Sequence, residues 1–446
     1  AIRGSAPAQI NVPRDYWTQV IDIELPPIVR LERQGGGSDA TTKAAELLSK
    51  AKFPVILSGA GVVIGGAIEE TKKLAEKLDS PVCSGYQHND SFPGSHPLAV
   101  GPLGYNGSKA AMELISKADV VLALGTRLNP FSTLPGYGID YWPKNANIIQ
   151  VDINPDRIGL TKKVTVGISG DAKLVAQQIL EKLSSNAGDT DRQKRKDLIH
   201  QSKSAWLQKL SSLDHEDDDE GTVWNQEARE RDADRMSPRQ AWRAIQAGMP
   251  DDVIISSDIG NNCAIGNAYP TFEKPRKYLA PGLFGPCGYG FPSILGAKIG
   301  CPDTPVIGFA GDGAFGISMN EMSSCARKEW PAITMVIFRN YQWGAEKRNT
   351  TLWFDNNFVG TELDPELSYA KVAEACGLKG VTVRTMEETT NAIKKSCEDQ
   401  KNGETTFIEV ILNQELGEPF RRDAMKKPVR VAGINKGDMK PQKTLF

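Results

Sequence analysis

The sequence predicts an α/β fold with two doubly wound parallel-sheet domains. The first observation is that apolar segments of strand length alternate with amphipathic helical segments in two parts of the chain. The second is that these strand segments end in small or acidic residues, as strand-to-helix turns do. The third is the spacing between Asp312, in a Gly-Asp-Gly turn, and Asn340. The two residues are 28 positions apart, which leaves room for one helix and one strand.

The composition is that of a soluble globular protein and excludes several classes. With 446 residues the chain can form two to three domains, and its net charge of −2 gives no electrostatic reason to expect nucleic acid or an anionic membrane as a partner. No apolar run has the length of a membrane span, and the first residues lack the apolar segment of a signal peptide. The seven cysteines form no Cys-x-x-Cys pair, which argues against structural zinc or a disulfide framework and favours the cytoplasm.

The first part of the chain is predicted to contain an isolated strand, a linker and a central domain. Residues 7–13 have the pattern of a single strand between prolines, and residues 1–15 are therefore expected to be the last strand of a larger domain. Residues 16–39, with two prolines and three glycines in short runs, are expected to be a linker. Residues 40–190 are predicted to form a Rossmann-like domain, with strands at 53–59, 119–125 and 147–152 and a helix at 67–78.

Gly59-Ala-Gly61 follows the first strand of this central domain and leaves two interpretations open. A glycine pair after a strand suggests nucleotide binding, but a complete Gly-x-Gly-x-x-Gly pattern with a later acidic residue is not clear. A structural role is favoured over a bound nucleotide. Residues 191–235 are hydrophilic and are expected to be a linker, and the acidic run 214–220 within them is expected to be solvated.

Residues 236–420 are predicted to form a second α/β domain, followed by a tail at 421–446. It is expected to open with a helix that has Ser237 as its N-cap and Pro238 at its first position. Further on, strands at 305–310 and 332–338 flank a helix expected at 318–330. This order places Asp312 and Asn340 at the carboxyl ends of two strands, where open α/β sheets bind ligands.

The chemistry of these two residues indicates a magnesium-anchored diphosphate. A carboxylate and an amide oxygen are hard ligands suited to Mg²⁺, which keeps open positions for phosphate oxygens. The glycines beside Asp312 would let the backbone approach a diphosphate at a helix start. An ordinary Asp-Gly turn is the alternative for the tripeptide alone, and the strand, helix, strand, asparagine order argues against it.

Other motifs surround this candidate site. Asn261 and Asn262 follow a strand at 253–258 and would bind phosphate or form an Asx turn. A glycine-rich stretch at 282–290 precedes a helix at 291–299 and would let a flat ring lie close to the backbone. Four basic residues are candidates for binding an anionic substrate, with ordinary surface charge as the alternative: Lys347, Arg348, Arg421 and Arg422.

Taken together, the Gly-Asp-Gly…Asn pattern, the Asp-Ile-Gly-Asn-Asn turn and the Gly-Pro-Cys-Gly loop resemble the thiamine diphosphate enzymes of the acetolactate synthase and pyruvate decarboxylase superfamily. Within it, residues 283–292 and 418–428 are similar to the sulfoacetaldehyde acetyltransferases. The resemblance implies that Asp312, Asn340 and the backbone oxygen of Gln342 hold Mg²⁺. It also implies a set of cofactor-binding residues: Asn261, Asn262, Gly285, Cys287, Gly288, Gly311, Gly313, Ala314 and Tyr341. Cys287 matches the position that bends thiamine, where relatives usually carry a larger apolar residue.

The resemblance further implies the reaction and the assembly. Sulfoacetaldehyde would lose sulfite, and phosphate would take up the acetyl group as acetyl phosphate, in a homodimer or homotetramer. A carboligase or decarboxylase acting on a 2-oxo acid is the alternative, and a silent nucleotide-binding fragment is a third. Family members begin with a pyrimidine-binding domain that supplies an activating glutamate. No residue here can be assigned that role, so the chain is expected to be an N-terminally truncated, inactive form.

Overall fold

The computed structural model describes residues 8–28, 32–136, 139–213, 230, 232–282, 284–327, 329–354 and 357–414. Within them, twelve strands form two six-stranded sheets in which every strand pairing is parallel. Helices flank both sheets, as parallel sheets require to bury both faces. The predicted fold class, two doubly wound α/β units, is confirmed. None of the helices in the described part of the chain is long and apolar enough to cross a membrane.

The first sheet has the strand order β3-β2-β1-β4-β5-β6, which is the doubly wound order of dinucleotide-binding folds. Its two central strands, Pro54–Ser58 and Val120–Leu124, are almost continuously apolar and fully buried, as expected for strands that helices cover on both faces. The strands are β1 (Pro54–Ser58), β2 (Val82–Ser84), β3 (Ala99–Pro102), β4 (Val120–Leu124), β5 (Asn147–Asp152) and β6 (Val166–Ser169).

The helices of this first unit place their apolar faces on one core. Leu74 and Leu78 of α3, for example, are fully buried, while the glutamates and lysines of that helix are mostly directed outward. The helices are α1 (Ser38–Lys50), α2 (Ala60–Gly65), α3 (Ile68–Leu78), α4 (Lys109–Ile115) and α5 (Ala172–Lys182).

The second sheet has the order β11-β12-β10-β9-β7-β8, with β9 between β7 and β10. The turns that follow β7, β9 and β10 therefore meet at one edge of this sheet. The strands are β7 (Ile254–Ser257), β8 (Tyr278–Leu279), β9 (Val306–Gly311), β10 (Thr334–Arg339), β11 (Lys379–Val383) and β12 (Thr406–Ile411).

Helices cover both faces of the second sheet and create two apolar clusters. One cluster is centred on Trp242, whose ring lies 4.7 Å from that of Phe309, and the other on Phe291 and Phe315. A connecting helix, α6 (Arg192–Leu213), precedes them. The helices of this unit are α7 (Pro238–Gly248), α8 (Asn261–Ile265), α9 (Gly290–Gly300), α10 (Asp312–Ser318), α11 (Met322–Cys325), α12 (Gly344–Trp353), α13 (Tyr369–Ala375) and α14 (Met386–Asp399).

Two local expectations are wrong, and a third is not tested. Residues 8–13 are exposed and form no strand, but the strand partners that this expectation requires are not among the described residues, so it stays a prediction. Residues 192–213 are a long helix rather than a linker, anchored by Arg195, whose buried guanidinium donates to five backbone carbonyls. The helix expected at 318–330 begins at Asp312 instead and breaks at residues 319–321, since the Gly-Asp-Gly turn is itself the helix start.

Asn267 joins the two units. Its side-chain amide donates to the backbone oxygen of Tyr105 at 3.1 Å and accepts from the backbone N–H of Gln87 at 3.1 Å. Its own backbone oxygen accepts from Asn89 Nδ2 at 2.9 Å. Since Asn267 is fully buried, these bonds fix the end of helix α8 against the first unit.

Candidate active site

A cavity of about 240 Å³ lies at the carboxyl ends of β7, β9 and β10, and is called here the β7/β9/β10 cavity. It occupies the position at which open α/β sheets bind ligands. Most of the residues proposed from the sequence for the cofactor and the metal line it. Those that do are Asn261, Asn262, Gly285, Cys287, Gly311, Asp312, Gly313, Ala314, Asn340 and Gln342.

Asp312, the first residue of α10, is 1% exposed and firmly held. Its Oδ2 accepts from the backbone N–H of Tyr341 at 2.6 Å and from Arg339 Nη1 at 3.1 Å, while its Oδ1 accepts from the N–H of Gly313 at 3.0 Å. Burial raises the pKa of this carboxyl to about 6, although the positive charge of Arg339 opposes the rise. The arrangement presents one buried carboxylate of defined orientation to the cavity.

Asn340 and Gln342 bring further oxygen atoms to the same place. Both are buried, and both line the cavity from the turn after β10. Gln414 holds this turn by two hydrogen bonds. Its Nε2 donates to the backbone oxygen of Asn340 at 3.2 Å, and its backbone oxygen accepts from Gln342 Nε2 at 3.1 Å. Tyr341 between them has φ of 63°, a left-handed conformation that a tyrosine adopts only where its surroundings impose it.

The asparagine pair after β7 also lines the cavity. Asn261 Nδ2 donates to the backbone oxygen of Gly344 at 2.9 Å, which links the turn after β7 to the start of α12. The Oδ1 of Asn262 is buried and has no hydrogen-bond partner among the described residues. A buried polar atom without a partner is costly, so this amide fits a cavity whose ligand supplies the missing bond.

The glycine loop, residues 282–290, is fixed by Asp258. The carboxylate accepts from the N–H groups of Gly288 at 3.1 Å and Gly290 at 2.6 Å. The thiol of Cys287 is exposed at the cavity, and partial burial together with the carboxylates of Asp258 and Glu346 raises its pKa. This thiol is therefore in its neutral form at neutral pH and offers the cavity a small apolar group.

Several candidates for this site lie elsewhere. Gly288 and Tyr341 do not line the cavity, and the Tyr341 ring lies 4.2 Å from the guanidinium of Arg339. Lys347 is fully buried and bonded to Glu362 and Gln414, away from the cavity lining. Arg348 is also buried and outside the lining, and Arg421 and Arg422 lie outside the described residues. Substrate binding by these basic residues stays a prediction.

Sequence reasoning missed Arg339, Asp258 and Glu346. Arg339 ends an otherwise apolar buried strand directly before Asn340, and this misplaced charge was the available signal. Asp258 was included only as the end of a strand, although it holds the glycine loop. Glu346 adds a carboxylate to the cavity lining.

The cavity chemistry fits a hydrated divalent cation better than a fully protein-coordinated metal. The described residues contain no cluster of three or more His, Cys, Asp or Glu side chains that could enclose an ion. One carboxylate, one amide and one backbone carbonyl leave coordination positions for water and phosphate oxygens, which is the usual situation of Mg²⁺. The chemistry of these residues is therefore compatible with the Mg²⁺ and the diphosphate that the sequence led us to expect.

A second cavity of about 470 Å³ lies at the carboxyl ends of the first sheet. Its lining includes Gly61 and Gly125, where two strand-to-helix turns touch, together with Arg127, Asp152 and Arg157. The structural role favoured from the sequence, with nucleotide binding as its alternative, stays a prediction.

Comparison with known families identifies the class. Residues 41–179 match the family described as the central domain of thiamine pyrophosphate enzymes, and residues 258–410 match their C-terminal TPP binding domain. Thiamine pyrophosphate is another name for thiamine diphosphate, so the chain is built from two domains of the thiamine diphosphate enzymes. The second match contains every residue that lines the β7/β9/β10 cavity.

Two relatives identify a particular family within this class. A probable sulfoacetaldehyde acetyltransferase of Rhizobium meliloti (strain 1021) is 77% identical over 445 residues, which cover 100% of this chain and 75% of that protein. The sulfoacetaldehyde acetyltransferase of Roseovarius nubinhibens (strain ATCC BAA-591 / DSM 15170 / ISM) is 72% identical over 442 residues, with coverage of 99% and 73%. The chain belongs to the sulfoacetaldehyde acetyltransferase family, and the resemblance inferred from its motifs is confirmed.

A solved structure supports the fold alone. The crystal structure of benzoylformate decarboxylase from Polynucleobacter necessarius superimposes with a TM-score of 0.67 at 18% identity, covering 90% of this chain and 69% of that one. Identity this low carries no information about the substrate, which must be argued from the family and the site.

Proposed function

We propose that this protein catalyses the thiamine diphosphate-dependent cleavage of sulfoacetaldehyde by phosphate, giving acetyl phosphate and sulfite. The observation that carries the proposal is the β7/β9/β10 cavity, where the Gly-Asp-Gly…Asn pattern, the Asp-Ile-Gly-Asn-Asn turn and the Gly-Pro-Cys-Gly loop, which resemble the thiamine diphosphate enzymes, come together in three dimensions. The relatives that are 77% and 72% identical bear the corresponding name and support the choice of substrate.

In this proposal the second unit binds the diphosphate end of the cofactor with Mg²⁺. Asp312, Asn340 and the backbone oxygen of Gln342 hold the cation. The backbone at Gly313 and Ala314, at the start of α10, receives the diphosphate. The Oδ1 of Asn262, an acceptor without a partner among the described residues, would accept a hydrogen bond from a donor group that the bound cofactor brings into the cavity. When bound, thiamine diphosphate supplies the carbon nucleophile and the electron sink that breaking a carbon–sulfur bond requires.

The remaining residues of the cavity orient and enclose this cofactor. Asp258 fixes the glycine loop, and the loop carries Cys287 to the cavity surface. Trp343 closes the side next to Gly313 and leaves no space there for even a methyl group, since an added Cβ would lie 2.8 Å from the indole. This close contact fixes the backbone at the start of α10 against the indole.

The decisive experiment measures sulfite release from sulfoacetaldehyde with and without phosphate, using protein expressed from its complete reading frame with thiamine diphosphate and Mg²⁺. Phosphate-dependent release of sulfite and acetyl phosphate in equal amounts is expected. Asp312→Ala serves as the matched control for cofactor-independent decomposition. Absence of sulfite release from protein shown to bind the cofactor would contradict the proposal. Consumption of pyruvate by the same preparation would instead favour the 2-oxo acid carboligase alternative.

We also propose a homodimer or homotetramer located in the cytoplasm. The assembly is supported by the family resemblance, in which the cofactor lies between subunits. The location is supported by the seven cysteines, all of which are free thiols as expected in a reducing compartment. Light scattering after size-exclusion chromatography tests the assembly, and a monomer at micromolar concentration would contradict it.

A further inference from the structure

Arg339 is the least expected group near the candidate metal site. It is the last residue of β10 and is 1% exposed, and a buried arginine is costly unless opposite charges compensate its own. Nη1 donates to Asp312 Oδ2 at 3.1 Å. Nη2 donates to the backbone oxygens of Leu367, at 2.8 Å, and Asp364. The guanidinium is therefore held in one orientation.

Glu409 completes the cluster from the neighbouring strand. It lies on β12, is 2% exposed, and places Oε1 3.5 Å from Arg339 Nε. Its Oε2 accepts from Ser368 Oγ at 2.7 Å, and its Oε1 accepts from the backbone N–H of Tyr369 at 3.2 Å. These bonds fix Glu409 to the start of helix α13, so that two carboxylates hold one guanidinium between them.

The charges of this cluster decide how it treats a cation. Arg339 alone would offset the charge of Asp312, so that this pair would contribute no net charge to the proposed metal site. Glu409 adds a second negative charge, so that the three side chains sum to −1 when all are ionised. The buried cluster therefore keeps an attraction for a divalent cation, and at low dielectric such an attraction is strong.

We propose that Arg339 and Glu409 act together as positioning residues for the metal ligand Asp312, an inference that rests on the magnesium site of the proposed function. Arg339 and the Tyr341 N–H occupy Oδ2 of Asp312, which leaves Oδ1, with only the Gly313 N–H bound, as the oxygen for the cation. Glu409 offsets the charge that Arg339 brings. The pair thus fixes which oxygen of Asp312 binds the metal without cancelling the site's negative charge.

The test compares folded variants by their cation requirement. Quenching of tryptophan fluorescence by thiamine diphosphate reports binding, since Trp343 lines the cavity, and Mg²⁺ is titrated at saturating cofactor. Glu409→Gln preserves size and is expected to raise the Mg²⁺ concentration for half-saturation by tenfold or more. Arg339→Lys keeps the charge but loses the two-pronged geometry, and we expect an intermediate increase. Glu404→Gln, an exposed carboxylate just before β12, is the matched control and should not change it.

Melting temperature and near-ultraviolet circular dichroism show whether each variant is folded. If Arg339→Lys does not fold, Glu409→Gln alone decides the matter. A half-saturation concentration within twofold of wild type in folded Glu409→Gln would overturn the inference, and a purely structural role would then lower only the melting temperature. If wild-type protein itself needs no Mg²⁺ to bind the cofactor, the magnesium assignment fails, and the inference fails with it.

Discussion

The carboxylate of Asp258 and the backbone N–H of Gly290 form a hydrogen bond of 2.6 Å that ties the turn after β7 to the first residue of α9. With a second bond to Gly288, this contact determines where the glycine loop lies relative to the cavity. The side chain is buried, and its burial raises the pKa of the carboxyl. One side chain therefore connects the stability of the sheet with the shape of the site.

Asp258→Asn is expected to lower both the stability of the protein and its affinity for the cofactor. The amide keeps one oxygen acceptor but directs an NH₂ group toward a backbone donor, so at least one charge-assisted bond is lost, at a cost of about 1–3 kcal/mol. Urea denaturation should show this loss, and thiamine diphosphate should bind more weakly. Asp251→Asn, an exposed carboxylate in the same unit, is the control and should behave as wild type. Unchanged stability and affinity in Asp258→Asn would show that the loop is held by other contacts.

Asp312→Ala is expected to abolish Mg²⁺-dependent cofactor binding, because it removes the only carboxylate among the three proposed metal ligands. The measurement is the rise in melting temperature that thiamine diphosphate with Mg²⁺ produces, since a ligand stabilises the state it binds. Asp303→Ala, at an exposed position just before β9, should keep the full rise. A full rise in Asp312→Ala would mean that the metal is bound elsewhere.

Alanine substitutions of the two glycines beside Asp312 should differ in their effect on the stability of the cofactor-free protein. A Cβ on Gly313 would lie 2.8 Å from the Trp343 ring, whereas a Cβ on Gly311 would meet no protein atom within 4 Å. Gly313→Ala is therefore expected to destabilise the cofactor-free protein by about 1–3 kcal/mol. Gly311→Ala should leave that stability nearly unchanged and lower only cofactor affinity. Denaturation curves of both cofactor-free variants test the difference, and equal destabilisation would contradict it.

His88 should make the protein less stable in mild acid. Burial lowers its pKa to about 4 from an ordinary value of 6.5, and the nearby charge of Arg127 adds to the effect. Between these values the unfolded chain binds a proton that the folded protein rejects, so the free energy of unfolding falls as the pH decreases from about 6.5 toward 4. The stability lost in this way is at most about 3 kcal/mol. At neutral pH and above, none of it is lost.

Urea denaturation at pH 7.5 and pH 5 measures this dependence. His88→Gln should lose less stability between the two pH values than wild type, because the group that takes up the proton is gone. His200→Gln, at an exposed position in α6, should keep the wild-type dependence. An identical pH dependence in wild type and His88→Gln would show that other groups govern acid sensitivity.

Six of the twelve strands, β1, β4, β5, β7, β9 and β10, were predicted individually, because each is a short, largely apolar run followed by turn residues, and such a pattern is local. The start of α10 was missed for the opposite reason, since its sequence contains two glycines and has little intrinsic helix preference. Tertiary contacts compensate, for example that of Phe315, whose ring lies 5.4 Å from that of Phe291. Arg339 escaped prediction because its partner Glu409 is 70 positions away in the sequence and becomes a neighbour only through the pairing of β10 with β12.

Asn267 restricts movement between the two units. A sliding displacement of one unit relative to the other would stretch all three of its hydrogen bonds at the same time. Small displacements are therefore opposed, and large ones require these bonds to break. Helix α8, which carries Asn261 and Asn262, ends just before Asn267. The position of this asparagine pair is therefore fixed relative to the first unit, and its distance from Asp312 depends on the integrity of both sheets.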